Sequence, residues 1–189
     1  MTHTSKALFT NSKLQEKREM KKFSFGDKVS NDITKTNRWL TPKHIVEALG
    51  QFDLDPCGAP GHSLAPVTYQ LDDGENGLEL DWFGRVWLNP PYGKESPPFL
   101  KKMSEHKNGI AFIFARTETK AFFEYVWNSA TAVLFLKGRV KFLNADYAVT
   151  GAANAPSVLI AYSDADADVL ASCSIAGHFI RLRNADHDS

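Results

Sequence analysis

Residues 85–92 read Arg85-Val86-Trp87-Leu88-Asn89-Pro90-Pro91-Tyr92. The apolar half reads as a short strand, and the second half stops it with an amide, two prolines and an aromatic ring. In open α/β sheets, ligands bind just past the carboxyl ends of strands. The four terminating residues suit one chemical task, holding a planar amino group. The Asn89 side-chain oxygen and the Pro90 backbone carbonyl offer two acceptors for the two N–H bonds of such a group. Accepting both draws the nitrogen toward tetrahedral geometry and frees its delocalised lone pair for attack on a methyl donor. Pro91 stiffens the turn and brings no competing donor. Tyr92 supplies a flat ring on which an extruded base can stack.

A second copy of the pattern, Ser96-Pro97-Pro98-Phe99, tests this reading. It follows Gly93-Lys94-Glu95 rather than a strand. Ser96 reads as a helix N-cap with prolines in the first turn, ahead of a helix over about 97–107. Position relative to a strand, not the tetrapeptide itself, separates the two.

Working outward, strands and helices alternate. Thr41 reads as an N-cap and Pro42 as the first residue of a helix ending at Gly50. Phe52-Asp53-Leu54-Asp55 reads as a strand entering a small-residue loop, Pro56-Cys57-Gly58-Ala59-Pro60-Gly61. Residues 67–82 read as irregular, with Asp72-Asp73-Gly74 and Asn76-Gly77 as turns. Ile110–Ala115 and Ala132–Leu136 are unbroken apolar runs, the mark of buried strands. A helix is expected over 120–129, an exposed strand or hairpin arm over 138–143, and a loop over 144–156. A strand follows at 157–162, a short helix at 164–171 and a last strand at 178–183. The alternation predicts an α/β domain with a mostly parallel central sheet.

At 189 residues with 43% hydrophobic content, the chain suits one domain with a real core. It has no apolar run long enough to span a membrane and no apolar segment of a secretory signal. Cys57 and Cys173 have no metal or disulfide spacing, and the six histidines share none. No metal and a cytoplasmic location are therefore expected, with the oligomeric state open. The formal net charge is zero, which argues against strong non-specific polyanion binding. Residues 1–36 nevertheless hold eight Lys/Arg against four acids. They read as a polar, partly mobile arm, with residues 37–189 as the single domain.

The ordered set Trp39-Leu40-Thr41-Pro42, Asp53-Leu54-Asp55-Pro56-Cys57, Asn76-Gly77-Leu78, Trp82 and Val86–Gly93 resembles the phage-type DNA N-6-adenine methyltransferases, a Dam-like family. Ala115-Arg116-Thr117, Gly138–Phe142 and Ala155-Pro156-Ser157 extend the resemblance, which spans roughly residues 37–163. It implies a Rossmann-like methyltransferase fold, S-adenosylmethionine as donor, adenine N6 in double-stranded DNA as acceptor, and a phage or restriction-protection setting. Asn89, Pro90, Pro91 and Tyr92 would form the catalytic element. Asp53, Asp55, Pro56 and Gly58, with Trp39, Thr41 and Pro42 upstream, would receive the donor. The chain lacks a glycine-rich G-x-G-x-x-G, so the loop after Asp55 is a departure from the wider class. No separate recognition domain fits between Asp55 and Asn89. DNA contact would fall to the N-terminal arm, the 93–95 loop, or the loops after Leu136 and Asn144.

Other readings stand beside these. Asp53 and Asp55 also suit turn residues, Trp39 a core position, and Arg116 a surface ion pair as well as a phosphate contact. Arg139 and Lys141 suit DNA backbone or simply the solvated side of a strand. The same amine-holding chemistry serves cytosine N4, an RNA adenine or a protein glutamine amide. A catalytically silent donor- or nucleic-acid-binding module is the rival from another class.

Overall fold

Trp87, Ile110, Phe112, Leu134 and Leu159 share one apolar cluster, while Val86, Leu88, Ala111, Ile113, Val133 and Ile160 share a second. Successive strand residues thus bury on opposite faces, so both sides of one sheet are covered. A computed structural model describes residues 39–70, 73–144 and 148–182, all within the unit Asn37–Ser189. The arm of residues 1–36 lies outside them.

The elements in chain order are α1 (Lys43–Glu47), β1 (Leu54–Asp55), β2 (Val67–Thr68), β3 (Val86–Leu88), α2 (Ser96–His106), β4 (Gly109–Phe114) and α3 (Lys120–Phe122). There follow a π-helical turn (Phe123–Trp127), β5 (Ala132–Leu136), β6 (Lys141–Leu143), β7 (Val149–Ala152), β8 (Ser157–Ala161), α4 (Asp164–Ser172) and β9 (Gly177–Arg181). Seven strands form one sheet in the order β2-β1-β3-β4-β8-β5-β9, and β6 pairs with β7 as a separate hairpin. The pairs β1–β2, β1–β3 and β3–β4 are parallel. β8 runs antiparallel between β4 and β5, and β9 antiparallel beside β5. β1 to β5 therefore point one way and β8 and β9 the other, a mixed sheet with a parallel half.

α1 and α4 contribute Ile45, Val46, Ala167 and Leu170 to the first face, and α2 and the α3 turn contribute Phe99, Leu100, Met103, Phe122 and Val126 to the second. The buried Asp166 carboxylate ties β3 to β4 and α4. It accepts from Arg85 Nε (2.6 Å), the Gly109 N–H (2.8 Å) and Ser163 Oγ (2.5 Å). Arg85 in turn donates to the carbonyls of Leu49 and Gln51, closing the end of α1 onto the sheet.

Three local expectations need correction. Thr41 caps no helix: α1 starts at Lys43 with no side-chain cap, and the Thr41 hydroxyl goes elsewhere. Ser96 is the first residue of α2 rather than its cap, and its hydroxyl donates to the Pro91 carbonyl at 2.6 Å. The expected loop over 144–156 contains β7, whose small, exposed residues pair with β6 instead of packing in the core.

Candidate active site

The chain leaves β1 for β2 on one side and returns to β3 on the other, so the strand order reverses between β1 and β3. This is the topological switch point, where an α/β sheet opens a crevice at its carboxyl edge. Asp55 ends β1, and Asn89 follows β3. Both line one cleft there, with Trp39, Thr41, Gly58 and Pro90 among its other walls. The cleft is narrow, with a cavity of only about 20 Å³, so any ligand larger than a water must widen it on entry.

The Asn89 side chain is fixed from behind. Its Nδ2 donates to the Trp39 carbonyl at 2.7 Å and to Thr41 Oγ1 at 3.1 Å. A carbonyl only accepts, so the nitrogen must face Trp39 and the oxygen must face away. Asn89 Oδ1 is then buried with no hydrogen-bond partner among the described residues. Leaving such an acceptor unpaired costs about 1–3 kcal/mol, so it is a group waiting for a donor. The Pro90 carbonyl beside it also accepts no hydrogen bond among the described residues. The segment that orients Asn89 is itself held, because Leu40 and Leu143 exchange two backbone hydrogen bonds of 3.0 Å. Trp39 also packs on Phe142, with ring centroids 6.1 Å apart.

Across the cleft, Asp55 is 3% exposed. Burial pushes its carboxyl up to about 7, against the lowering effect of the hydrogen bond from the Cys57 N–H. It makes no ion pair among the described residues. The loop beyond it is pressed close to the backbone. A Cβ at Gly58 would lie 1.8 Å from Thr68 Cγ2, and one at Gly77 would lie 2.1 Å from the Pro56 carbonyl oxygen. Both positions need glycine for close approach.

The structure gathers Trp39, Thr41, Asp55, Gly58, Asn89, Pro90 and Pro91 in this cleft. It places three other expected residues elsewhere. Asp53 sits two residues before the end of β1, accepts from the Arg85 N–H at 2.7 Å and lines a different groove with Gln51 and Phe52. Pro42 lines a groove behind α1. Pro56, the first residue of the loop, is buried and does not line the cleft.

Tyr92 is also more enclosed than a stacking platform needs. Its ring lies 4.2 Å from Phe114 and 6.2 Å from Phe142, and its buried hydroxyl has no partner among the described residues. Desolvation raises its pKa well above the usual phenol value. Arg116, Arg139 and Lys141 are exposed at the same edge of the sheet as Asn89.

His62 joins the cleft without a sequence signal. It is 4% exposed, and desolvation, then the charge of Lys43, holds its pKa below the usual imidazole value, while hydrogen bonding to the Thr41 backbone opposes this. Among the described residues no three His, Cys, Asp or Glu side chains group to hold a metal ion, and no helix is long and apolar enough to cross a membrane.

These features define an α/β domain with a small cleft, partly lined by buried polar groups, at its topological switch point. The model of the DNA N-6-adenine-methyltransferase (Dam) family matches residues 28–175, and the chain belongs to that family. No curated protein and no solved structure matches it.

Proposed function

We propose that the protein transfers a methyl group from S-adenosylmethionine to N6 of adenine in double-stranded DNA, on a Rossmann-like methyltransferase fold. One observation carries the reading: Asn89 Oδ1 is buried, partnerless and turned from its anchors, at the end of a strand beside the switch point. Membership of the Dam family supports DNA and adenine as the acceptor. The strand order, reversing at β1 and β3, supports the Rossmann-like assignment.

The residues present fit the donor. Asp55 is a buried carboxylate that forms no ion pair among the described residues, as a cationic amino group requires of its partner. Gly58 lines the same cleft, and its missing side chain lets the loop pack onto Thr68 of β2. Asp55, Gly58 and Trp39 would hold S-adenosylmethionine, which when bound supplies an electrophilic methyl group.

The chain's own part is positioning. Asn89 Oδ1 and the Pro90 carbonyl accept the two amino hydrogens of a flipped adenine. This localises the lone pair on N6 and orients it, with no covalent enzyme intermediate. Thr41 and the Trp39 carbonyl keep the amide the right way round. Incubation with tritiated donor and DNA, RNA or protein, followed by nucleoside analysis, tests the assignment. Label in N6-methyladenine from DNA supports it, and label only in N4-methylcytosine, RNA or protein overturns it.

A further inference from the structure

β5 runs parallel to β3, so Lys137, just past its end, shares the sheet edge that holds Asn89. From there the chain passes Arg139 and enters β6 at Lys141. Val140 and Phe142 pack inward on the first cluster, which sends Arg139 and Lys141 outward. The three cations form one wall of a groove of about 560 Å³, and Pro42, His44 and Ile45 contribute to the other. No Asp or Glu lines it.

The side chains of these cations form no ion pair or hydrogen bond among the described residues. Lys94 and Arg116, after β3 and β4 at the same edge, and Lys107 at the opposite edge likewise have no ion pair among the described residues, whereas four other cations do. Lys101 pairs with Glu105, Lys120 with Glu124, Arg181 with Asp164 and Asp168, and Arg85 with Asp166. Because β8 ends at the opposite edge, the three acids of α4 lie away from Asn89. Lys94, Arg116, Lys137, Arg139 and Lys141 thus put positive charge without an ion-pair partner among the described residues on the side of the cleft.

From this we infer that the groove between α1 and residues 137–141 binds the phosphate backbone of the DNA whose adenine enters the Asn89 cleft. The inference rests on the DNA assignment above and adds where the duplex lies. The β6 end of the groove lies close to the cleft, because Phe142 packs on both Trp39 and Tyr92 and Leu143 pairs with Leu40. The groove therefore grips phosphates that flank the target base. Phosphate contacts fix register and orientation without reading sequence. The binding is accordingly sequence-independent.

Fluorescence anisotropy of a labelled duplex, read without methyl transfer, tests this on the full chain. The double substitution Arg139→Gln/Lys141→Gln is compared with Lys101→Gln/Lys107→Gln, which removes the same charge outside the groove. All four side chains are exposed or nearly so, and thermal unfolding checks that both variants fold. The groove variant is expected to bind about tenfold more weakly or worse at 50 mM salt. Its plot of log affinity against log salt should be shallower by about 1.8, or 0.9 for each lost phosphate contact. The control should keep wild-type affinity and slope. Binding by the groove variant within twofold of wild type, or equal weakening of the control, overturns the inference. Groove-dependent binding without methylation of any DNA would instead leave the groove standing and sink the proposed reaction.

Discussion

Asn89→Asp separates acceptor chemistry from anchoring. The substitution keeps an oxygen facing the cleft, so a reading based only on the acceptor expects an active enzyme. It replaces Nδ2 by a second oxygen 2.7 Å from the Trp39 carbonyl and 3.1 Å from Thr41 Oγ1. The threonine hydroxyl can turn to donate, which recovers one bond. While the new carboxylate is ionised the Trp39 carbonyl has no such option, since two acceptors cannot pair. Losing one hydrogen bond and orphaning a buried carbonyl costs about 2–3 kcal/mol. If the orientation of Asn89 is set by these contacts, that energy comes off the rate as a fall of about 30- to 150-fold. Single-turnover transfer of tritiated methyl to DNA measures it, with donor binding followed by calorimetry as the control. A variant as fast as wild type would show that the anchors do not orient the side chain, and would refute the reasoning.

Three further outcomes follow from the same site. Thr41→Val should lower kcat about fivefold with little change in KM for DNA, by loss of one hydrogen bond of about 1 kcal/mol, and Thr41→Ser should restore it; an equal defect in the serine variant would point to packing instead. Asp55 titrates near 7, so affinity for a cationic donor should rise up to tenfold per pH unit toward 7 and level off above it. The same shift makes stability fall from about pH 4 to pH 7, where the folded state keeps a proton that the unfolded chain has lost. Asp55→Asn should abolish both dependences, and calorimetry and denaturation across pH 5–8 would reveal any that persist. Tyr92→Phe removes a buried hydroxyl without a partner and should leave the Tm unchanged or raise it; a drop of several degrees would mean that the hydroxyl has a partner after all.

What the sequence disclosed followed from how local each signal was. The runs 110–114, 132–136 and 157–161 were legible because unbroken apolar residues suit strands covered on both faces. Asn89-Pro90-Pro91 could be placed because the strand before it is adjacent in sequence. Thr41 was misread as a cap because its partner Asn89 lies 48 residues away. Asp53 and Asp55 look alike in an alternating stretch, and only the end of β1 decides which carboxylate reaches the cleft. β7 escaped notice because its residues are small and exposed, and its pairing with β6 depends on the fold around it. Nothing local to Tyr92 reveals that Phe114 and Phe142 will meet its ring.

The central claim is that this cleft methylates adenine N6 in DNA. A random-sequence duplex pool incubated with enzyme and S-adenosylmethionine, then mapped at base resolution, tests it most directly. The account predicts N6-methyladenine with wild type and near-complete loss with Asn89→Ala, which should still bind donor. Methylation of cytosine alone, no methylation of DNA, or wild-type methylation by Asn89→Ala would contradict it.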